Sequence, residues 1–182
     1  MKKKINNYLF DYNSTFLDCL SQLDVDSYIQ LIKVLSQYKN SNFKVYIIGN
    51  GGSAAIASHV SVDLTKTCKI PSTNFNEVDL ITCFSNDYGY EKWVEMAIKK
   101  YVSKKDLVIL ISSSGESKNI TNAARYCKNN KIKLVTFSGF KTKNSLSKLG
   151  NINLYVNSNS YNLVELTHLT WLLQAIDYLK KN

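Results

Sequence analysis

The sequence predicts an α/β fold with a mostly parallel sheet and helices on both faces. Three observations carry this. Val45-Tyr46-Ile47-Ile48 is an apolar run rich in β-branched and aromatic residues, which suits a buried parallel strand, and a glycine turn and a helical stretch follow at once. Asp106-Leu107-Val108-Ile109-Leu110-Ile111 is the clearest strand, again followed by a turn and a helical stretch. Two more strand patterns, at 133–139 and 151–156, alternate with helical ones. Strands separated by helices over this length imply right-handed βαβ units.

Taken in order, residues 5–40 read as a helical pair. Ile5, Tyr8, Leu9, Tyr12 and Phe16 share one helical face that continues through Leu17, Leu20 and Leu23. Asp24 or Asp26 can cap a second helix carrying Tyr28, Ile29, Leu31, Ile32, Val34 and Leu35. This N-terminal extension, residues 1–40, has apolar surface to pack on a sheet or on a partner subunit. The core, 44–182, begins with the first strand and the helix after it. Pro71, the one proline, breaks the chain, and Leu80-Ile81-Thr82-Cys83-Phe84 reads as a short strand. Ser85 to Tyr90 reads as a turn-rich loop, 90–102 as a helix ending in lysines, 119–128 as a helix, and 161–180 as the closing helix. No long linker or low-complexity tract interrupts the 182 residues, so one domain, 1–182, is expected. A chain of that length buries roughly 70% of its unfolded surface.

Composition narrows the function classes. The apolar content of 45% is ordinary, and no stretch approaches the ~20 consecutive apolar residues of a membrane span. Polar residues after Met1-Lys2-Lys3-Lys4-Ile5 interrupt any signal-like apolar core, so the expected location is cytoplasmic. Cys19, Cys68, Cys83 and Cys127 form no CxxC pair and are read as reduced and mostly buried. The net charge of +9 invites a nucleic-acid reading. Arg125 is the sole arginine, however, and the lysines are dispersed, which favours a solvated basic surface that helps attract a phosphorylated substrate.

The two turns concentrate the chemistry. Gly49-Asn50-Gly51-Gly52-Ser53 places backbone N–H groups at the positive end of a helix, an anion site. It lacks the third glycine of a GxGxxG dinucleotide fingerprint and the GK[ST] of a P-loop, so no nucleotide cofactor is expected. Ser112-Ser113-Ser114-Gly115-Glu116-Ser117 crowds four hydroxyls onto the end of the strongest strand. Serines at a helix start are often caps, but four in six residues at the carboxyl edge of a parallel sheet exceed what a cap needs. Together the turns read as a pocket for a monoester phosphate.

GNGGS before a helix, SSSGES after the next long strand and the loop Asn86-Asp87-Tyr88-Gly89-Tyr90 resemble the sugar isomerase (SIS) domain family, most of all its phosphoheptose isomerases. The resemblance runs from the N-terminal helices to the C-terminus. It implies a three-layer αβα sandwich of flavodoxin-like kind and a homotetramer with sites shared between subunits. It also implies isomerisation of sedoheptulose 7-phosphate to a heptose 7-phosphate for lipopolysaccharide or capsule. Phosphate binding carries over to Ser53, Ser112, Ser113, Ser114 and Ser117, with Gly51 and Gly52 in the first turn. Asn50 and Asp87 match positions lining the sugar. Ketose–aldose conversion moves a proton between adjacent carbons through an enediol, and needs a base and an acid or a polarising metal. In the resemblance His59 matches a metal-binding histidine and Asp63, four residues on, stands where these isomerases carry a catalytic glutamate. Glu165 stands where they carry glutamine, and His168 follows. His59, Asp63 and Glu165 would form a metal site, zinc being the family's metal, and Asp63, Glu165 or His168 would be the base. The family's catalytic histidine falls on Leu173, or on Gln174 if the register shifts by one. Glu116 occupies a position that often carries asparagine and is read as facing solvent. The alternative function is a non-catalytic sugar-phosphate binder with a regulatory or scaffold role.

Overall fold

Five strands form one entirely parallel sheet in the computed structural model, which describes residues 1–181. They are β1 (Val45–Gly49), β2 (Ser72–Thr73), β3 (Leu107–Ser112), β4 (Lys133–Ser138) and β5 (Ile152–Tyr155), in the order β2-β1-β3-β4-β5. That is the flavodoxin-like order, whose ligand crevice lies where the chain reverses its direction across the sheet, between β1 and β3. Gly49 pairs with Ile111 and Ser112 with Ser138, so the ends of the three central strands lie side by side.

Strand alternation divides the core in two. Val45, Ile47, Leu107, Ile109, Ile111, Val135 and Phe137 face a layer built from α1 (Lys2–Ser21), α2 (Val25–Ser36), α3 (Gly52–Cys68) and α7 (Tyr161–Lys181). Tyr46, Ile48, Val108, Leu110 and Leu134 face α4 (Val78–Tyr88), α5 (Trp93–Tyr101) and α6 (Lys118–Asn129). Both faces being covered explains the unbroken apolar runs of β1 and β3. Asp24 caps α2, its carboxylate accepting from Ser27 N at 3.0 Å. All four cysteines are free, and only Cys83 is exposed.

Two expectations are corrected here. The stretch Leu80–Phe84 is not a strand but part of α4, where Leu80, Ile81 and Phe84 recur at helical spacing and pack on the second core. The residues read as a loop from Ser85 are its last turn, and the chain turns only at Gly89, φ +82°.

His168, expected among the proton-transfer groups, is a core residue. It is completely buried, its ring edge-on to Phe137 at 5.5 Å and 6.2 Å from Trp171. Its Nε2 lies 3.2 Å from Ser138 O, and its Nδ1 has no partner. Burial pushes its pKa down to about 4, with the Ser138 contact opposing only weakly. The neutral ring is therefore the folded form, and the unfolded chain binds the extra proton as pH falls from about 6.5 toward 4. Stability is expected to be flat above pH 6.5 with respect to this group. It should decline between pH 6.5 and 4, by on the order of 3 kcal/mol once complete. His168→Leu leaves Ser138 O with the Val156 N–H. Chemical denaturation at pH 7 and pH 4.5 should show a smaller acid loss in this variant than in the parent chain.

Candidate phosphate and sugar site

The site is built where β1 and β3 end. Gly51, at φ +53°, lets the chain turn directly into α3, and Gly115, at φ +67°, does the same within the serine loop. Gly52 matters for another reason: a Cβ there would displace the Glu165 carboxylate of α7, which lies over it. The serine loop folds on itself, Gly115 N donating to Ser112 O at 2.9 Å and Glu116 N to Ser114 Oγ at 3.2 Å. Ser117 is the N-cap residue of α6, yet its side chain makes no capping bond; it accepts instead from Ser112 Oγ at 3.2 Å. The Ser112 and Ser117 hydroxyls are thus turned to each other beside a small cavity, while Ser114 Oγ takes the Glu116 N–H.

That cavity has a volume of about 90 Å³ and is lined by Asn50, Ser53, Ile111, Ser112, Ser113, Ser114, Ser117, Tyr161 and Glu165. Backbone N–H groups at the starts of α3 and α6, together with these hydroxyls, suit an oxyanion. A reciprocal amide pair ties the turns together: Asn50 Nδ2 donates to Asn119 Oδ1 at 3.0 Å, and Asn119 Nδ2 to Asn50 Oδ1 at 2.8 Å. Tyr90 OH reaches Asn50 Oδ1 at 3.4 Å from the loop after α4.

A second cavity, of about 490 Å³, adjoins it and is lined by Tyr12, Gly52, Ala55, Ile56, His59, Asn162, Glu165, Leu166 and Leu169. Its size is that of a small-molecule site. Glu165 alone lines both cavities, and its Oε1 accepts from Ser113 Oγ at 3.4 Å. His59 Nε2 lies 3.2 Å from Asp63 Oδ2, as their i, i+4 spacing allows.

The structure thus brings together Asn50, Gly52, Ser53, the four serines, His59 and Glu165, with Asp63 behind His59. It does not bring in Asp87, which lines neither cavity and takes a bond from Asn86 Nδ2 at 3.1 Å. Nor does it gather the expected metal ligands. Among the described residues no group of three or more His, Cys, Asp or Glu is placed to hold a metal. His59 and Asp63 face each other while Glu165 faces Ser113, so these side chains do not fit zinc as a common three-ligand set. Leu173 packs against the first core and Gln174 is exposed, so neither supplies a histidine's chemistry. Glu116 points away from the phosphate cavity: Ser145 Oγ and N donate to its carboxylate at 2.6 and 2.8 Å and hold its pKa below the ordinary value.

Sequence reading missed Asn119, Tyr161, Asn162 and Tyr12. Asn119 carried a signal, an amide two residues past the serine loop where a helix first turns. Tyr12 carried none, because α1 reaches this site only through its packing on α7.

Known proteins share the sequence pattern and the fold. The SIS domain family matches residues 11–139. A phosphoheptose isomerase of Aliarcobacter butzleri is 33% identical over 76% of this chain and 77% of its own length. That of Campylobacter concisus is 29% identical over 97% of both. The structure of phosphoheptose isomerase from Neisseria gonorrhoeae superposes over the whole of both chains with a TM-score of 0.88 at 18% identity, which shows the same fold. The chain belongs to the SIS domain family and is similar to its phosphoheptose isomerases.

Proposed function

We propose that this protein is a sugar-phosphate ketose–aldose isomerase that converts sedoheptulose 7-phosphate to D-glycero-D-manno-heptose 7-phosphate, supplying heptose for a surface polysaccharide. The observation that carries the reading is the position of Glu165 between an oxyanion cavity and a larger one. The similarity to phosphoheptose isomerases supports the substrate. The phosphate would sit among Ser53, Ser112, Ser113, Ser114 and Ser117, and the chain of carbons would run into the larger cavity past Glu165.

In this reading the Glu165 carboxylate takes the proton from C1 of the ketose. The C1–C2 bond becomes an enediol, and the same group returns the proton to C2. His59, held in orientation by Asp63, lines the same cavity, gives a proton to the C2 carbonyl oxygen as acid and takes one back from the C1 hydroxyl. A carboxylate beside a phosphate is repelled, so Glu165 turns from Ser113 toward the sugar when the phosphate enters. No step is routed through a metal.

The reading includes a cytoplasmic homo-oligomer, a tetramer on the family's pattern, with sites completed between subunits. Tyr8, Leu9, Phe10 and Leu17 of α1 are exposed, and Tyr12 between them lines the sugar cavity, so a partner docked on α1 would meet the site. Asp87 would then act across such an interface.

Deuterium exchange tests the activity directly. In deuterated water with sedoheptulose 7-phosphate, the protein should place deuterium at C2 of the aldose and at C1 of recovered ketose. No exchange, together with thermal stabilisation by the sugar phosphate, would replace the enzyme reading with the non-catalytic binder. Glu165→Gln, which keeps the shape and removes the base, should lower exchange by about 10²–10⁴-fold while sugar-phosphate binding persists; unchanged turnover would exclude Glu165. Removing two hydroxyls, Ser112→Ala with Ser117→Ala, should raise the Kd for the sugar phosphate by roughly 10²–10⁴-fold, measured by calorimetry, since each bond to a charged ligand contributes about 1.5–3 kcal/mol.

A further inference from the structure

At the opposite edge of the sheet lies a further concave site, of about 400 Å³, lined by Lys104, Lys128, Lys131, Ile132, Lys133, Leu149, Gly150 and Asn151. Lys104 precedes β3, Lys128 lies in the last turn of α6, Lys131 in the connection to β4, and Lys133 opens β4. Four lysines from four places along the chain therefore line one cavity, and no carboxylate does. Among the described residues the ion pairs are His59–Asp63 and Lys118–Glu91, so none of the four lysines has an acidic partner. Lys128 Nζ donates to Lys148 O at 3.2 Å, and Lys133 Nζ lies 3.5 Å from Gln37 Oε1. Asn151 Oδ1 accepts from Leu134 N at 2.8 Å, which leaves its amide nitrogen as a further donor at the rim. Lys131 stands in the left-handed region at φ +58°, at the helix end where glycine is usual.

We propose that this four-lysine bowl binds a small anion with consecutive phosphates, such as inorganic triphosphate or a nucleoside triphosphate. A lysine ammonium serves a phosphate as a point charge without the fork geometry of arginine. The cavity volume is that of a small-molecule site, and the cations line a bowl rather than the extended stripe that a nucleic-acid backbone follows. Ile132 and Leu149 add an apolar wall. The site is separate from the serine pocket: β4, which starts at Lys133, is roughly 17 Å long from end to end. It does not depend on the isomerase reading.

Calorimetric titration of the full chain with inorganic triphosphate tests it, in metal-free buffer at 150 mM KCl, where screening over about 8 Å suppresses general attraction to a basic surface. Saturable one-site binding is expected. Lys131→Gly combined with Lys133→Ser should weaken it by roughly tenfold or more, and the glycine, suited to the φ of residue 131, keeps the fold intact as read by an unchanged or raised melting temperature. Replacing Lys2, Lys3 and Lys4 by serine removes three charges elsewhere and should leave binding unchanged. ATP titrated in parallel should bind the same site, more tightly if the apolar wall takes the base. Absence of binding, an equal loss on replacing Lys2–Lys4, or loss on Ser112→Ala with Ser117→Ala but not on the lysine substitutions would overturn the proposal.

Discussion

The parallel pairing of β1 with β3 is the constraint on which the site depends. Because Gly49 lies opposite Ile111, the chain leaves both strands at the same level and on neighbouring tracks. β1 leads to α3 on one face of the sheet and β3 to α6 on the other. The two helix starts therefore diverge around a crevice, each presenting N–H groups that its own helix cannot satisfy. The Asn50–Asn119 amide pair fixes their spacing. It is nearly buried on the Asn119 side, where a reciprocal pair of bonds is worth more than at an exposed edge.

Glycine placement then decides what shares that crevice. Gly52 has no Cβ, and the space is filled by the Glu165 carboxylate reaching across from α7. α3 and α7 pack closely enough that His59 and Glu165 line one cavity although more than a hundred residues separate them. The result is a graded site, with the hydroxyls in the small cavity, an imidazole in the larger one and the Glu165 carboxylate between them. His168, one turn further along α7 than Glu165, faces the sheet instead and packs on Phe137 and Trp171. Two ionisable residues three positions apart thus have different fates, one lining the crevice and the other held neutral in the core.

The fold was legible wherever burial on both faces produced unbroken apolar runs, as in β1 and β3, and wherever alternation marked the edge strand β5. The meeting of the two turns at one cavity was legible because a turn that follows a strand immediately has its position set by that strand. α4 was not, since Leu80-Ile81-Thr82-Cys83-Phe84 is a short apolar run that fits a strand or a helix equally, and only packing on the second core decides. β2 is two residues long and carries no period. The sugar end was legible only in part. Motif spacing could nominate Glu165 and His168 together, but which faces the crevice depends on how α7 is rotated against the sheet. The failure of His59, Asp63 and Glu165 to converge as one ligand set likewise follows from side-chain directions that local sequence does not encode.

On the proposed function the serine loop holds the phosphate and Glu165 meets the carbons that exchange a proton. A crystal structure of the Glu165→Gln protein with sedoheptulose 7-phosphate tests it most directly. Phosphate oxygens are expected within hydrogen-bond distance of Ser112, Ser114 and Ser117, and C1 and C2 of the sugar beside residue 165. A phosphate bound elsewhere, or a sugar whose C1 and C2 lie away from residue 165 with the phosphate in place, would contradict it.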